Sequence, residues 1–377
     1  MRAGASWRTG ALITWAALLN TPGAAKAPGE TWDELCRIPG RSIHEELDAR
    51  RSTSTDLTFE ARGQVLLSEP WSQRDGRAPA ILRMPGCVLH EFAPLRVSGL
   101  AAPYPRILSL SADGVLLWER TEGVQVLSRP GVEDLVLPSM AGEPLLSTDG
   151  RWVATVDLQP ARATLKLYST TGEAAREIRL SGEPENALTG RCSPRLTRVD
   201  VSAGLLEVVT CRARRHTVEL LQWGFDGSLQ QVIERSAPFA YLGSPRAWVA
   251  WGTEFQSSAP VTWSVGGRRG SYAPPRFHHV EEASLEPAGR YIAVRIAVNS
   301  GGSGHLTPDT LLHAGFSWVV DRGGIRVLRI SDGVEIFSER IKGSGASVRF
   351  VGPAALAVSS WDSAVTPVTR VLRVPRD

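Results

Sequence analysis

Histidines and carboxylates gather in two stretches of the chain. His278, His279, Glu281 and Glu282 lie in FHHVEE, and His305, Asp309 and His313 lie in NSGGSGHLTPDTLLHAGFSW, residues 299–318. Imidazole nitrogens and carboxylate oxygens are the donors a divalent metal takes. The two stretches would therefore make a metal or small-ligand site if the fold joined them. Neighbouring residues of a strand point to opposite faces, so at most one of His278 and His279 serves a given site. Solvated loop histidines are the competing account. A second chemistry is aromatic: Trp248, Trp251, Phe255 and Trp263 crowd one short segment. If Trp251 and Trp263 are exposed, they offer a platform for a sugar or a partner protein; packing in the core is the alternative.

Catalytic signatures are missing. The chain contains no G-x-S-x-G elbow, P-loop, H-E-x-x-H helix or dinucleotide fingerprint. Asp113, Asp149, Asp226 and Asp332 each precede a glycine, and turn formation accounts for them. A glycosidase would need two carboxylates at a set separation, which a sequence does not display.

The elements that must position these residues are strands. STDGRWVATVD (147–157) and EPAGRYIAVRI (286–296) are near copies, each a tight turn followed by an alternating apolar run. Further copies begin near residues 61, 111, 202, 244 and 351. Taking Gly63, Gly114, Gly150, Gly204, Arg246, Gly289 and Gly352 as markers, the mean spacing is about 48 residues, matching a four-stranded propeller blade. The glycines supply the positive backbone angle of a hairpin, and the apolar run gives the strand something to bury. Residues 165–180, 219–234 and 325–341 read strand, glycine turn, strand, as the two outer strands of a blade would. The expected fold is all-β, a propeller of seven blades, with six or eight as alternatives. The C-terminal VTRVLRVP is expected to close the ring beside the first unit, and residues 31–50 to form one or two short helical turns. Residues 299–318 stand out as a long insertion within one unit, the kind of loop that carries recognition.

The S-x-D-G-R-x-[VI]-A turn and strand resemble the repeats of TolB-type and WD-repeat-like β-propellers of exported bacterial proteins. The resemblance covers most of residues 57–374 and implies a fold with many functions. The regular tryptophan docking motif of quinone-cofactor propellers is absent.

Composition and the N-terminus bound the setting. Arg2 and Arg8 precede an apolar run from Ala11 to Leu19, then a Pro-Gly break and small residues, the layout of a secretory signal peptide with cleavage expected after Ala25. The run is too short to span a bilayer, which takes about 20 residues, and no later segment is long and apolar enough. The expected organisation is a signal peptide over 1–25, an N-terminal segment over 26–56 and a propeller over 57–377. Without Arg2 and Arg8, basic and acidic residues nearly balance, and nothing calls for nucleic acid. Four cysteines in an exported chain are disulfide candidates, with Cys36–Cys87 and Cys192–Cys211 the favoured pairing of three. The leading expectation is a non-catalytic periplasmic or secreted platform, without a cofactor, for a protein or glycan partner of the cell envelope. A carbohydrate-active enzyme and a small-ligand or metal sensor are the alternatives.

Overall fold

In the computed structural model of the chain, side chains of the turn itself hold the start of STDGRWVATVD in place. Ser147 Oγ accepts a hydrogen bond from the Trp152 N–H (3.0 Å) and donates one to Asp149 (2.5 Å), while the Gly150 N–H donates to the Ser147 carbonyl (2.9 Å). Ser111 repeats the arrangement in an earlier copy, accepting from the Val115 N–H at 3.0 Å. In EPAGR a longer side chain does the same work: the buried Glu286 carboxylate accepts from the Arg290 N–H (2.8 Å) and pairs with its guanidinium (2.6 Å). All six marker glycines have positive φ.

The described residues are 32–43, 63–68, 79–92, 106–111, 113–119, 124–137, 140, 144–159, 162–181, 195–212, 217–236, 239–244, 247–252, 259–275, 278–298, 323–341, 346–362 and 366–375. They form seven antiparallel four-stranded sheets. Blades one to six take their strands in chain order from residues 42–91, 106–136, 145–180, 195–236, 239–272 and 278–340. Every one of the seven expected turn-strand copies is the second strand of its blade, and the three strand-turn-strand copies are third and fourth strands. First strands of neighbouring blades touch at five of the seven junctions, so they line the centre of the ring. The apolar cores lie between blades rather than within them: Trp118 joins blades one and two, Trp223 joins three and four, and Phe350 joins six and seven.

Blade seven closes the ring and departs from the sequence expectation. Its strands are Ser347–Phe350, Ala355–Asp362 and Thr366–Arg373, and its fourth is Glu34–Pro39, from near the start of the chain. The described part of the stretch expected to be helical turns ahead of the propeller, residues 32–43, is thus two strands inside it, Glu34–Pro39 and Ser42–Ile43. The open edge of Thr366–Arg373 explains the difference, because unpaired backbone groups there are satisfied by pairing and override weak local helical preference. The C-terminal strand closes the ring as expected, placing Val371 in one apolar cluster with Ile43, Val65 and Leu67 of blade one, but it does so as the third strand of blade seven. A polar chain seals the seam: the Ile43 N–H donates to Ser359 Oγ (2.6 Å), Ser359 bonds Thr369 (2.8 Å), and Thr369 donates to the Arg41 carbonyl (2.8 Å).

A disulfide spans the same seam. Cys36, on the fourth strand of blade seven, is bonded to Cys87, in the turn before the fourth strand of blade one, with Cα atoms 6.4 Å apart. Of the second expected pair, Cys192 lies outside the described residues. Cys211 sits on the second strand of blade four. Among the described residues no helix is long and apolar enough to cross a membrane.

Candidate binding site

Of the two histidine-rich stretches, FHHVEE lies among the described residues from His278 onward. His278 and His279 open the first strand of blade six and are both buried, which excludes solvated loop positions for these two. A bulge at Glu281 re-aims the strand. Glu281 then bonds Arg295 at 2.5 Å and faces His279 at 3.7 Å, while Glu282 reaches across to blade seven, where it accepts from Ser347 Oγ (2.9 Å) and the Val348 N–H (2.9 Å) and pairs with Arg349. Burial acts to raise the Glu281 pKa, but the His279 hydrogen bond and the Arg295 charge outweigh it and hold the carboxyl below its ordinary value. These carboxylates are structural ion-pair partners. His305, Asp309 and His313 lie outside the described residues. Val298, the last described residue before that insertion, pairs in register with His278. Among the described residues no group of three or more metal-donor side chains comes together.

The tryptophan candidates are core residues. Trp251 and Trp263 are buried in the cluster between blades five and six, and Trp263 lies flat across Gly270 of the neighbouring strand. Neither offers its ring to solvent.

The cleft that the sequence did not reveal lies on the ring face bearing the turns between first and second, and between third and fourth, strands. Its volume is about 470 Å³, and blades one, two and three contribute Arg83, His90, Asp113, Arg129, Val132 and Arg151, among others. Each position follows from a turn. Arg83 ends the third strand of blade one, and His90 lies on the fourth. Arg129 and Val132 flank the tight Pro130-Gly131 turn of blade two. Gly114 lets the neighbouring turn approach: a Cβ there would lie 3.0 Å from Ile81 Cδ1 and 3.5 Å from an Arg83 terminal nitrogen.

The electrostatics of the cleft are unbalanced. Asp149, also on its wall, is engaged in its own turn, accepting from Ser147 Oγ and the Arg151 N–H, and Arg151 is paired with Glu173 at 2.7 Å. Arg83 and Arg129 have no carboxylate partner among the described residues. For the half-buried Arg83 this is exceptional. Every other buried or half-buried arginine whose side chain is described is paired, as in Arg41 with Glu91 (2.6 Å), Arg198 with Asp200 (3.1 Å) and Arg326 with Glu335 (3.5 Å). Arg83 Nε is also buried without a hydrogen-bond partner among the described residues, as is Oε1 of Gln64, its cross-strand neighbour. A guanidinium withdrawn from water without a counter-charge is costly, and an anion entering the cleft would relieve it. The arrangement suits binding of a carboxylate by a planar, bidentate donor.

No protein-family profile matches the chain, and no curated protein matches it in sequence. Solved structures match in shape. The β-propeller domain of Cps50 (Swd1) from Myceliophteria thermophila superposes with a TM-score of 0.50 at 11% identity, over 92% of this chain and 100% of that domain. An oligogalacturonate lyase from Vibrio parahaemolyticus gives a TM-score of 0.47 at 10% identity, over 91% and 99% of the two chains. The β-propeller domain of the Trilobed protease from Pyrococcus furiosus gives 0.43 at 9% identity, over 74% and 85%. At such identities the likeness concerns the fold, a seven-bladed propeller, and not the chemistry.

Proposed function

We propose that this propeller is a non-catalytic extracytoplasmic binding platform of the TolB-like, exported kind, which holds a partner against the cleft of blades one to three. One observation carries the reading: among the described residues Arg83, half-buried on the cleft wall, has no counter-charge, whereas the other buried or half-buried arginines have one. A rigid ring holds its turns in fixed positions, so a partner meets a preformed surface and little ordering entropy opposes binding. Cys36–Cys87 supports the extracytoplasmic part, since disulfides persist in oxidising compartments, and the signal-like N-terminus agrees with it. The carboxylates of the cleft argue for binding over catalysis: Asp149 is held by its turn, and Asp113 precedes Gly114 in another. The insertion at 299–318, outside the described residues, is a second candidate for the same role.

Affinity capture from a native envelope extract tests the proposal, using the mature protein, its Arg83→Gln/Arg129→Gln variant and a deletion of 299–318. The expected result is a stoichiometric partner retained by the unmodified protein and lost with one of the two variants. No partner on the unmodified protein would overturn the platform reading.

A further inference from the structure

We infer that the outer edge of blade two, together with the cleft at its root, docks an extended peptide segment of a partner protein that places one carboxylate on Arg83 and Arg129 and runs apolar side chains along Val132–Val136. This specifies the partner of the platform proposed above and rests on that reading.

Val132–Val136 is the terminal strand of its sheet, so one side of its backbone has no partner within the blade. Edge strands are normally blunted by charge, twist or cover. This one carries a register shift and the exposed acids Glu133 and Asp134, yet its apolar side chains stay open to solvent: Val132 is 58%, Leu135 47% and Val136 56% accessible. Among the described residues these are three of the six exposed large apolar side chains, all on one five-residue strand. An apolar edge of that kind marks an interaction surface. Strand addition is the recognition mode it suits, with backbone hydrogen bonds giving affinity and alternating side chains giving specificity.

Charge sets the partner's chemistry. Val132 belongs to both the strand and the cleft, and it pairs in register with Arg129, so the two cations without a carboxylate partner among the described residues stand at the root of the exposed edge. A carboxylate at that end of an added strand reaches Arg83. Farther along come Glu133 and Asp134, at a register shift that puts Val132 on the same face as Leu135, opposite their partners Arg129 and Leu127, and Val136 on the other. A uniformly acidic chain is repelled there. The complementary segment therefore carries its acid at the root and apolar or basic residues beyond. A glycan is disfavoured because no Trp, Tyr or Phe ring lines the cleft among the described residues, and Trp251 and Trp263 are buried elsewhere.

Selection of a displayed library of linear heptapeptides on the full protein tests the inference. Enriched peptides should carry Asp or Glu near one end followed by alternating apolar residues. A synthetic copy of the strongest should bind about tenfold more weakly to Arg83→Gln, and its own Glu→Gln form should lose as much, with no further loss on combining the two changes. Arg129→Gln, at an exposed position, and the Glu→Gln peptide keep the test decisive if Arg83→Gln fails to fold. Enriched peptides lacking an acid, affinity indifferent to both arginines, or no enrichment would each overturn the docking surface. So would Arg83-dependent binding of a uronic acid hexasaccharide in place of peptide. A captured envelope partner that persists on the double arginine variant would leave the platform standing while removing this surface from it.

Discussion

Cys36 and Cys87 are bonded across the seam where the first and last blades meet, so the disulfide and the strand carrying Cys36 close the same ring. Fifty-one residues separate the two cysteines. The bond restrains the unfolded chain by a long loop and ties blade seven to blade one independently of the apolar packing around it.

Removing that tie should loosen the ring without changing its blades. A Cys36→Ser/Cys87→Ser variant is expected to lose about 2–4 kcal/mol of stability, read as a lower urea midpoint with an unaltered far-ultraviolet circular dichroism spectrum. An unchanged midpoint would mean that closure does not depend on the bond.

Gly150 should be intolerant of a side chain for two reasons that act together. Its φ is +70°, and a Cβ would lie 2.7 Å from Ser111 Oγ and 2.8 Å from Val115 Cγ2 of the preceding blade. Gly150→Ala is expected to cost about 2 kcal/mol or more in denaturant titration. Gly131, with a similar φ but open space around it, should be affected by the backbone cost alone and therefore less.

Glu281 contributes to an acid limit on stability. Its folded pKa lies below the ordinary value of 4.5, so its stabilising contribution is present above that value and is lost as pH falls through the folded pKa. Asp200 acts in the same sense: burial opposes its ionisation, but the Ala203 N–H, the Ser202 hydroxyl and Arg198 together lower its pKa. Glu281→Gln should flatten the fall in melting temperature as the pH drops below 4.5, and remove the Glu281 partner of Arg295 at neutral pH. A pH profile parallel to that of the unmodified protein would remove Glu281 from this account.

The blade pattern was legible because each second strand is preceded by its own turn, and turn chemistry is local: Ser147, Asp149 and Gly150 make their bonds within six residues of one another. Closure was not legible in the same way. Glu34–Pro39 is a strand only because the edge of Thr366–Arg373, more than three hundred residues away, requires a partner. The cleft was hidden for a related reason. Arg83, Arg129 and Val132 come from two blades, and the feature that singles out Arg83 is the lack of a carboxylate among the described residues, which shows only after the other arginines have been paired. Trp251 and Trp263 illustrate the reverse case, since aromatic crowding in sequence gave no sign of which rings face outwards.

Binding at the cleft is most directly tested by a photo-crosslinking residue, benzoylphenylalanine, placed at Val132 in the native host. The account predicts a discrete crosslinked protein adduct that disappears when Arg83→Gln is added and is absent when the probe sits at the exposed Leu229 of blade four. An adduct of equal yield with Arg83→Gln, or none at Val132, would contradict it.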